Sequence, residues 1–103
     1  MFVYTIWFNS RDSKRNGELV QELRNFLKEL KAKGFISEFR IMRRSLGFGP
    51  EGLGEFNVMV FTESLGNLQK IMEEIEKGEV GGHDNFTPLV RDFKSALYRE
   101  VEE

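Results

Sequence analysis

A ferredoxin-like α+β fold, a four-stranded antiparallel sheet with two helices on one face, is what this 103-residue chain predicts. Three observations lead there. Runs rich in β-branched and aromatic residues occur at 2–9, 35–45 and 55–62, with a last one around 95–101. Two segments between them carry apolar residues on a helical rhythm of three and four. The resulting order, β-α-β-β-α-β, is that of the split βαβ unit, and the chain is long enough for one such domain over residues 1–103 and no second one.

The first run, "FVYTIWFN", is followed by the turn-rich "SRDSKRNG". From Gly17 onward, Leu19, Val20, Leu23, Phe26, Leu27 and Leu30 mark one face of an amphipathic helix, and Gly34 suits its C′ position. In "FISEFRIMRRS", Phe39 and Ile41 alternate with Glu38, Arg40, Met42 and Arg44; this is the second strand. The third is "EFNVMVFT", with Phe56, Val58 and Val60 on one face and Glu55, Asn57 and Met59 on the other. Ser64 is placed to cap a second helix, built on Leu68, Ile71, Met72 and Ile75 and closed by Gly78. "EVGGHDNF" reads as a loop, and Thr87-Pro88 suits the start of a short helical turn, "TPLVRDF", before the last strand.

Composition excludes several functions. Hydrophobic residues make up 40% and charged residues 31%, so a packed core is expected. Fifteen basic and seventeen acidic residues leave a net charge of −2, with no overall field to hold nucleic acid. The RNA-recognition pattern on the third strand of a βαββαβ domain is also missing from "LGEFNVMVF". The absence of cysteine removes disulfides, thiolate metal sites and thiol catalysis, and makes the cytoplasm the expected compartment. No run is long enough for a membrane-spanning helix, and Met1–Phe8 lacks the pattern of a signal peptide. A single histidine rules out a His-rich zinc site, and no carboxylate loop signature appears, so no metal is expected. "GFGPEG" matches G-x-G-x-x-G by chance: it lies between two strands, contains Pro50 and opens no helix. No serine sits in a nucleophile elbow.

Parity then isolates a second sheet face. With Phe2, Tyr4, Ile6 and Phe8 turned to the helices, Val3, Thr5, Trp7 and Asn9 share the opposite face with Arg40, Met42, Arg44, Glu55, Asn57 and Met59. Pairing Arg44 with Glu55 sets Met42 opposite Asn57 and Arg40 opposite Met59. Such a face is too apolar for plain surface and too polar for plain core, so a cover is expected, and a second copy of the chain supplies one. Its arginines suit either interface ion pairs or the anchoring of an anionic or carbonyl-bearing ligand. His83, in a Gly-rich loop, is either a solvated or capping residue, a proton shuttle or a single haem ligand.

The stretches "FRIMRRSLGFGPEGLGEFNVMVF" and "HDNFTPLVRDFKSALYRE" resemble a family of small uncharacterised bacterial proteins. In that family a Y-R-I-x-R-R-x-L-G-x-G-P hairpin leads into L-G-E-F-x-x-M, and the chain ends near A-L-Y-R-D. This chain departs from the pattern at Phe39, where tyrosine is expected, and at Glu100, where aspartate is. The shape is similar to the dimeric α/β-barrel superfamily, which includes antibiotic-biosynthesis-type monooxygenases and stress-responsive proteins. That likeness implies a homodimer with a cavity between helices and sheet or at the sheet–sheet interface, and no one reaction.

The resulting expectation is a homodimer that binds a small aromatic or carbonyl-containing molecule, with cofactor-independent monooxygenase or cyclase-like chemistry and no assigned cofactor. In it Arg44 and Arg40 anchor or polarise the ligand, Glu55 fixes Arg44, and Asn57 donates a hydrogen bond. Trp7, Met42 and Met59 form the apolar wall and His83 handles a proton. A non-catalytic dimerisation or regulatory module is the alternative, and haem binding through His83 a third reading.

Overall fold

The computed structural model describes residues 1–77 and 83–101. Strand β1 (Phe2–Ser10) leads through a 3₁₀ turn at Ser13–Arg15 into helix α1 (Asn16–Ala32). Strands β2 (Glu38–Arg43) and β3 (Phe56–Thr62) form a long hairpin, followed by α2 (Leu65–Lys77), a single turn α3 (His83–Phe86), a 3₁₀ turn at Thr87–Leu89 and β4 (Val90–Arg99). The sheet order is β2-β3-β1-β4, antiparallel at all three pairings. This is the expected ferredoxin-like α+β arrangement.

The predicted parity holds on the helix side. Ile6 and Phe8 of β1 pair with Val58 and Phe56 of β3, and all four are buried with Leu19, Leu23, Phe26, Leu27 and Leu30 of α1 and Leu68 and Ile71 of α2. The Phe8 and Phe56 rings stack with centroids 5.4 Å apart. Each of these side chains leaves water for apolar contact, a gain of about 1.5–3 kcal/mol for a fully buried Leu, Ile, Val or Phe.

Helix ends follow the residues that mark them. Asp12 Oδ1 accepts the Lys14 N–H at 3.0 Å at the entry turn. Gly34, at φ 79°, donates to the Lys31 carbonyl while the Phe35 N–H reaches Leu30, so α1 closes in a Schellman motif. Ser64 Oγ accepts the Asn67 N–H at 3.2 Å and caps α2. The closing role expected of Gly78 lies outside the described residues.

Two boundaries differ from expectation. Strand β2 begins at Glu38 rather than 35, because Ile36 turns into the core, 4% exposed, and Phe35 completes the helix cap. Strand β4 begins at Val90, five residues early, because the helical turn after Thr87-Pro88 stops at Leu89. The β1–β4 register shifts between Trp7 and Asn9, and Asp92 takes φ 56°, so the early part of β4 carries a bulge. Of "EVGGHDNF", expected to be a loop, the described residues His83–Phe86 form the α3 turn, whose Phe86 ring tilts against Phe26 at 5.4 Å. No described helix is long and apolar enough to cross a membrane.

Candidate functional site

The second face of the sheet assembles most of the residues singled out by parity. Arg40 stands opposite Met59 and Met42 opposite Asn57, and the Arg44 N–H donates to the Glu55 carbonyl at 2.8 Å. The backbone register is therefore the expected one. The side chains pair differently: Glu55 Oε1 accepts from Arg43 Nε at 2.8 Å, not from Arg44. Arg43 also lies over the Phe56 ring, 5.4 Å from its centroid.

Arg44 folds inward instead. Its guanidinium donates to the Leu53 carbonyl at 2.8 Å and to the Gly54 carbonyl at 3.5 Å, and it passes over Gly49, where a Cβ would stand 2.3 Å from Nε. The paired arginines thus divide the work: Arg43 pairs with the glutamate and Arg44 pins the glycine-rich loop. Arg44→Ala is expected to cost about 1–3 kcal/mol, the range for stranding carbonyls that lose a charged donor. Urea denaturation measures it, and an unchanged midpoint would show that water serves those carbonyls equally well.

The loop then folds back across the sheet. Lys94 Nζ of β4 donates to the Gly52 carbonyl, and Asn9 Oδ1 accepts the Glu55 N–H at 2.9 Å while its amide donates to Asp92 at 3.1 Å. Part of the cover expected for this face is the chain's own hairpin. Between loop and sheet lies a shallow groove of about 260 Å³ bordered by Trp7, Met42, Arg44, Phe48, Leu53 and Asn57. The Asn57 amide is committed to Thr5 Oγ1 at 2.7 Å and the Ile6 carbonyl at 2.9 Å. Arg40 and Met59 lie on the same face beyond the groove lining. Arg43 and Lys94 escaped the sequence reading, as did the partners of Asn9, which parity places on this face, because loop closure leaves no periodic trace.

His83 belongs elsewhere. Its turn, α3, packs on the helix side of the sheet through Phe86, whereas Arg40 and Arg44 belong to the other face and to the β2 edge. The His83 side chain is outside the described residues, and so are its proton-handling and haem readings. Among the described residues no three acidic or histidine side chains gather to hold a metal ion.

A different cavity, about 150 Å³, lies between the helices and the sheet. Leu30, Val58, Ile71 and Phe86 are among its apolar walls, and Tyr4 and Thr87 bring the hydroxyls of the described lining. Met72 and Phe93, 42% and 52% exposed, stand where it meets solvent. The Tyr4 hydroxyl has no hydrogen-bond partner among the described residues. None of the second-face residues identified by parity lines this cavity; periodicity marks its strand and helix walls as core, whereas Phe86, Thr87, Val90 and Phe93 lie in segments read as loop and turn, and a gap in packing does not register in a hydrophobic pattern.

Comparison with solved structures agrees on the fold. A variant of SnoaB, a cofactor-independent oxygenase from Streptomyces nogalater, superposes with a TM-score of 0.77 at 6% identity, covering 99% of this chain and 94% of its own. A protein from Deinococcus radiodurans, assigned by its describers to the antibiotic biosynthesis monooxygenases, gives 0.72 at 17% identity, covering 100% and 95%. A dimeric ferredoxin-like protein of unknown function from Thermobifida fusca gives 0.64 at 13%, covering 94% and 88%. At such identities the likeness is one of fold. No curated protein matches by sequence. The profile of the family of unknown function DUF6614 matches residues 1–103, and the chain belongs to that family.

Proposed function

We propose that this protein self-associates through the second face of its sheet and binds a small single-ring aromatic molecule in the cavity between sheet and helices. The cavity carries the reading. A void of about 150 Å³ lined by Leu, Ile and Phe, engineered into the core of another protein, stays dry and takes up benzene. The cavity here has the same volume and the same kind of wall, and an opening beside Met72 and Phe93. The unpartnered Tyr4 hydroxyl supplies one directional hydrogen bond to a ring hydroxyl or carbonyl.

Self-association is supported by the part of the second face that the hairpin leaves bare. Met42 and Tyr98 are exposed there, beside half-buried Val3, Met59 and Phe61. The Thermobifida fusca neighbour is described as dimeric. In this reading Arg40, Trp7, Met42 and Met59 serve the interface, while Arg44 and Asn57 hold its rim in shape. The Streptomyces nogalater neighbour is a cofactor-independent oxygenase. The corresponding reaction here would need an electron-rich ring, such as a hydroquinone, that supplies its own electrons to dioxygen.

The test is an amide-resolved NMR titration with phenol and benzene. Shifts centred on Leu68, Ile71 and Phe86 are expected, and Leu68→Phe, which narrows the cavity, is expected to weaken binding on the order of tenfold, or about 1.4 kcal/mol. Absence of shifts at saturating probe would refute binding. Oxygen uptake with a hydroquinone reads the chemistry, and light scattering reads the dimer: a monomer at micromolar concentration would remove the interface.

A further inference from the structure

At the other edge of the helix layer, the N-terminal half of α1 stands off from β2 and leaves an open groove of about 490 Å³. Its apolar surface is Val20, Ile41, Met42 and Phe56, and its polar border includes Arg24 and Arg43. It shares no lining residue with the cavity between sheet and helices. A site here is therefore independent of the proposed aromatic cavity.

Arg24 is the telling residue. It is half-buried, yet it has no ion pair or hydrogen bond among the described residues. Its neighbours one helical turn away are Val20, Gln21, Leu27 and Lys28, none of them acidic. Three other cations on and beside α1 are matched: Arg15 meets Glu18 at 2.9 Å, Lys33 meets Glu29 at 3.7 Å and Lys31 meets Glu38 at 3.5 Å. The Arg15 guanidinium, by its hydrogen bonds, holds the Glu18 carboxyl below its ordinary range. The Phe39 N–H, then Lys31, do the same for Glu38.

Arg43 commits Nε to Glu55, and Glu55 does not line the groove. The terminal nitrogens of Arg43 make no other hydrogen bond among the described residues. A half-buried cation gains from a counter-charge, and a guanidinium fork suits a planar carboxylate. The positive end of α1 borders the same space at Asn16 and Gly17.

We propose that this groove binds a small carboxylic acid with an apolar or aromatic body. Its carboxylate lies between Arg24 and Arg43, and its body rests on Val20, Ile41 and Phe56. A bare inorganic anion would satisfy the arginines and leave the apolar floor wet.

Amide-resolved NMR titrations of the whole protein with phenylacetate, its neutral isostere phenylacetamide, and inorganic phosphate provide the test. Phenylacetate is expected to move the amides of Gly17, Val20, Ile41 and Arg43, and to bind on the order of tenfold more tightly than the amide. Arg24→Gln is expected to weaken phenylacetate by a similar factor, with Arg24→Lys recovering part of it. Gly17→Leu blocks the groove without touching a charge; nothing lies within 4 Å of where its Cβ would stand, so the fold is retained and phenylacetate binding is lost. Equal affinity for acid and amide would overturn the proposal. So would phosphate moving the same amides as strongly as phenylacetate, or shifts confined to Leu68, Ile71 and Phe86, which would place the acid in the other cavity. Failure here leaves the phenol and benzene titration untouched.

Discussion

Gly54→Ala is expected to lose roughly 3 kcal/mol or more of folding stability, the scale of forced overpacking in a rigid environment. A Cβ at this buried glycine would stand 2.3 Å from both the carbonyl carbon and the carbonyl oxygen of Phe8. These are backbone atoms of the central strand, and Phe8 is itself 1% exposed and stacked on Phe56. Neither side can yield without breaking the register between β1 and β3, and the next residue, Glu55, is tied to Asn9 and Arg44 through its own backbone.

Gly49 supplies the contrast. The atoms that would meet its Cβ are the guanidinium of Arg44, a flexible side chain that can swing away at the cost of its bonds to Leu53 and Gly54. Gly49→Ala is therefore bounded by the loss of the Arg44 staple. Urea denaturation of both variants separates them; a Gly54→Ala midpoint at or above that of Gly49→Ala would show that the Phe8 backbone moves freely.

Which features could be read from the sequence follows from where one-sided burial occurs. Strands β1 and β3 and helix α1 each bury one face, so Ile6, Phe8, Phe56, Val58 and Val60 alternate and Leu19 through Leu30 recur at helical spacing. Strand β4 is an edge, with Phe93, Leu97 and Tyr98 exposed on its two faces, and no alternation announces its start at Val90. The arginine pair illustrates a second boundary. Parity placed the Arg44 backbone opposite Glu55, but side-chain partners there depend on a loop that closes over Gly49 and Gly54. Loop closure has no period. The cavity behind Val58 and Ile71 is a third case, since volume left over by packing depends on rotamers and element spacing rather than on which residues are apolar.

Leu30→Ala tests whether that leftover volume is used. Leu30 is 2% exposed on α1 and forms part of the cavity wall, so truncating it is expected to cost about 2–5 kcal/mol. The same truncation enlarges the space from one that suits a single ring toward one that admits a fused pair. A ligand that occupies only the folded state stabilises it in proportion to RT ln(1 + [L]/Kd), so the variant has more to regain from a larger guest. Thermal denaturation with phenol and with indole should therefore show reversed preferences: phenol raises the midpoint more in the parent protein, indole more in Leu30→Ala. A variant that loses stability yet keeps the parent's order of preference would mean that these probes bind elsewhere and that the space behind Leu30 is a packing gap.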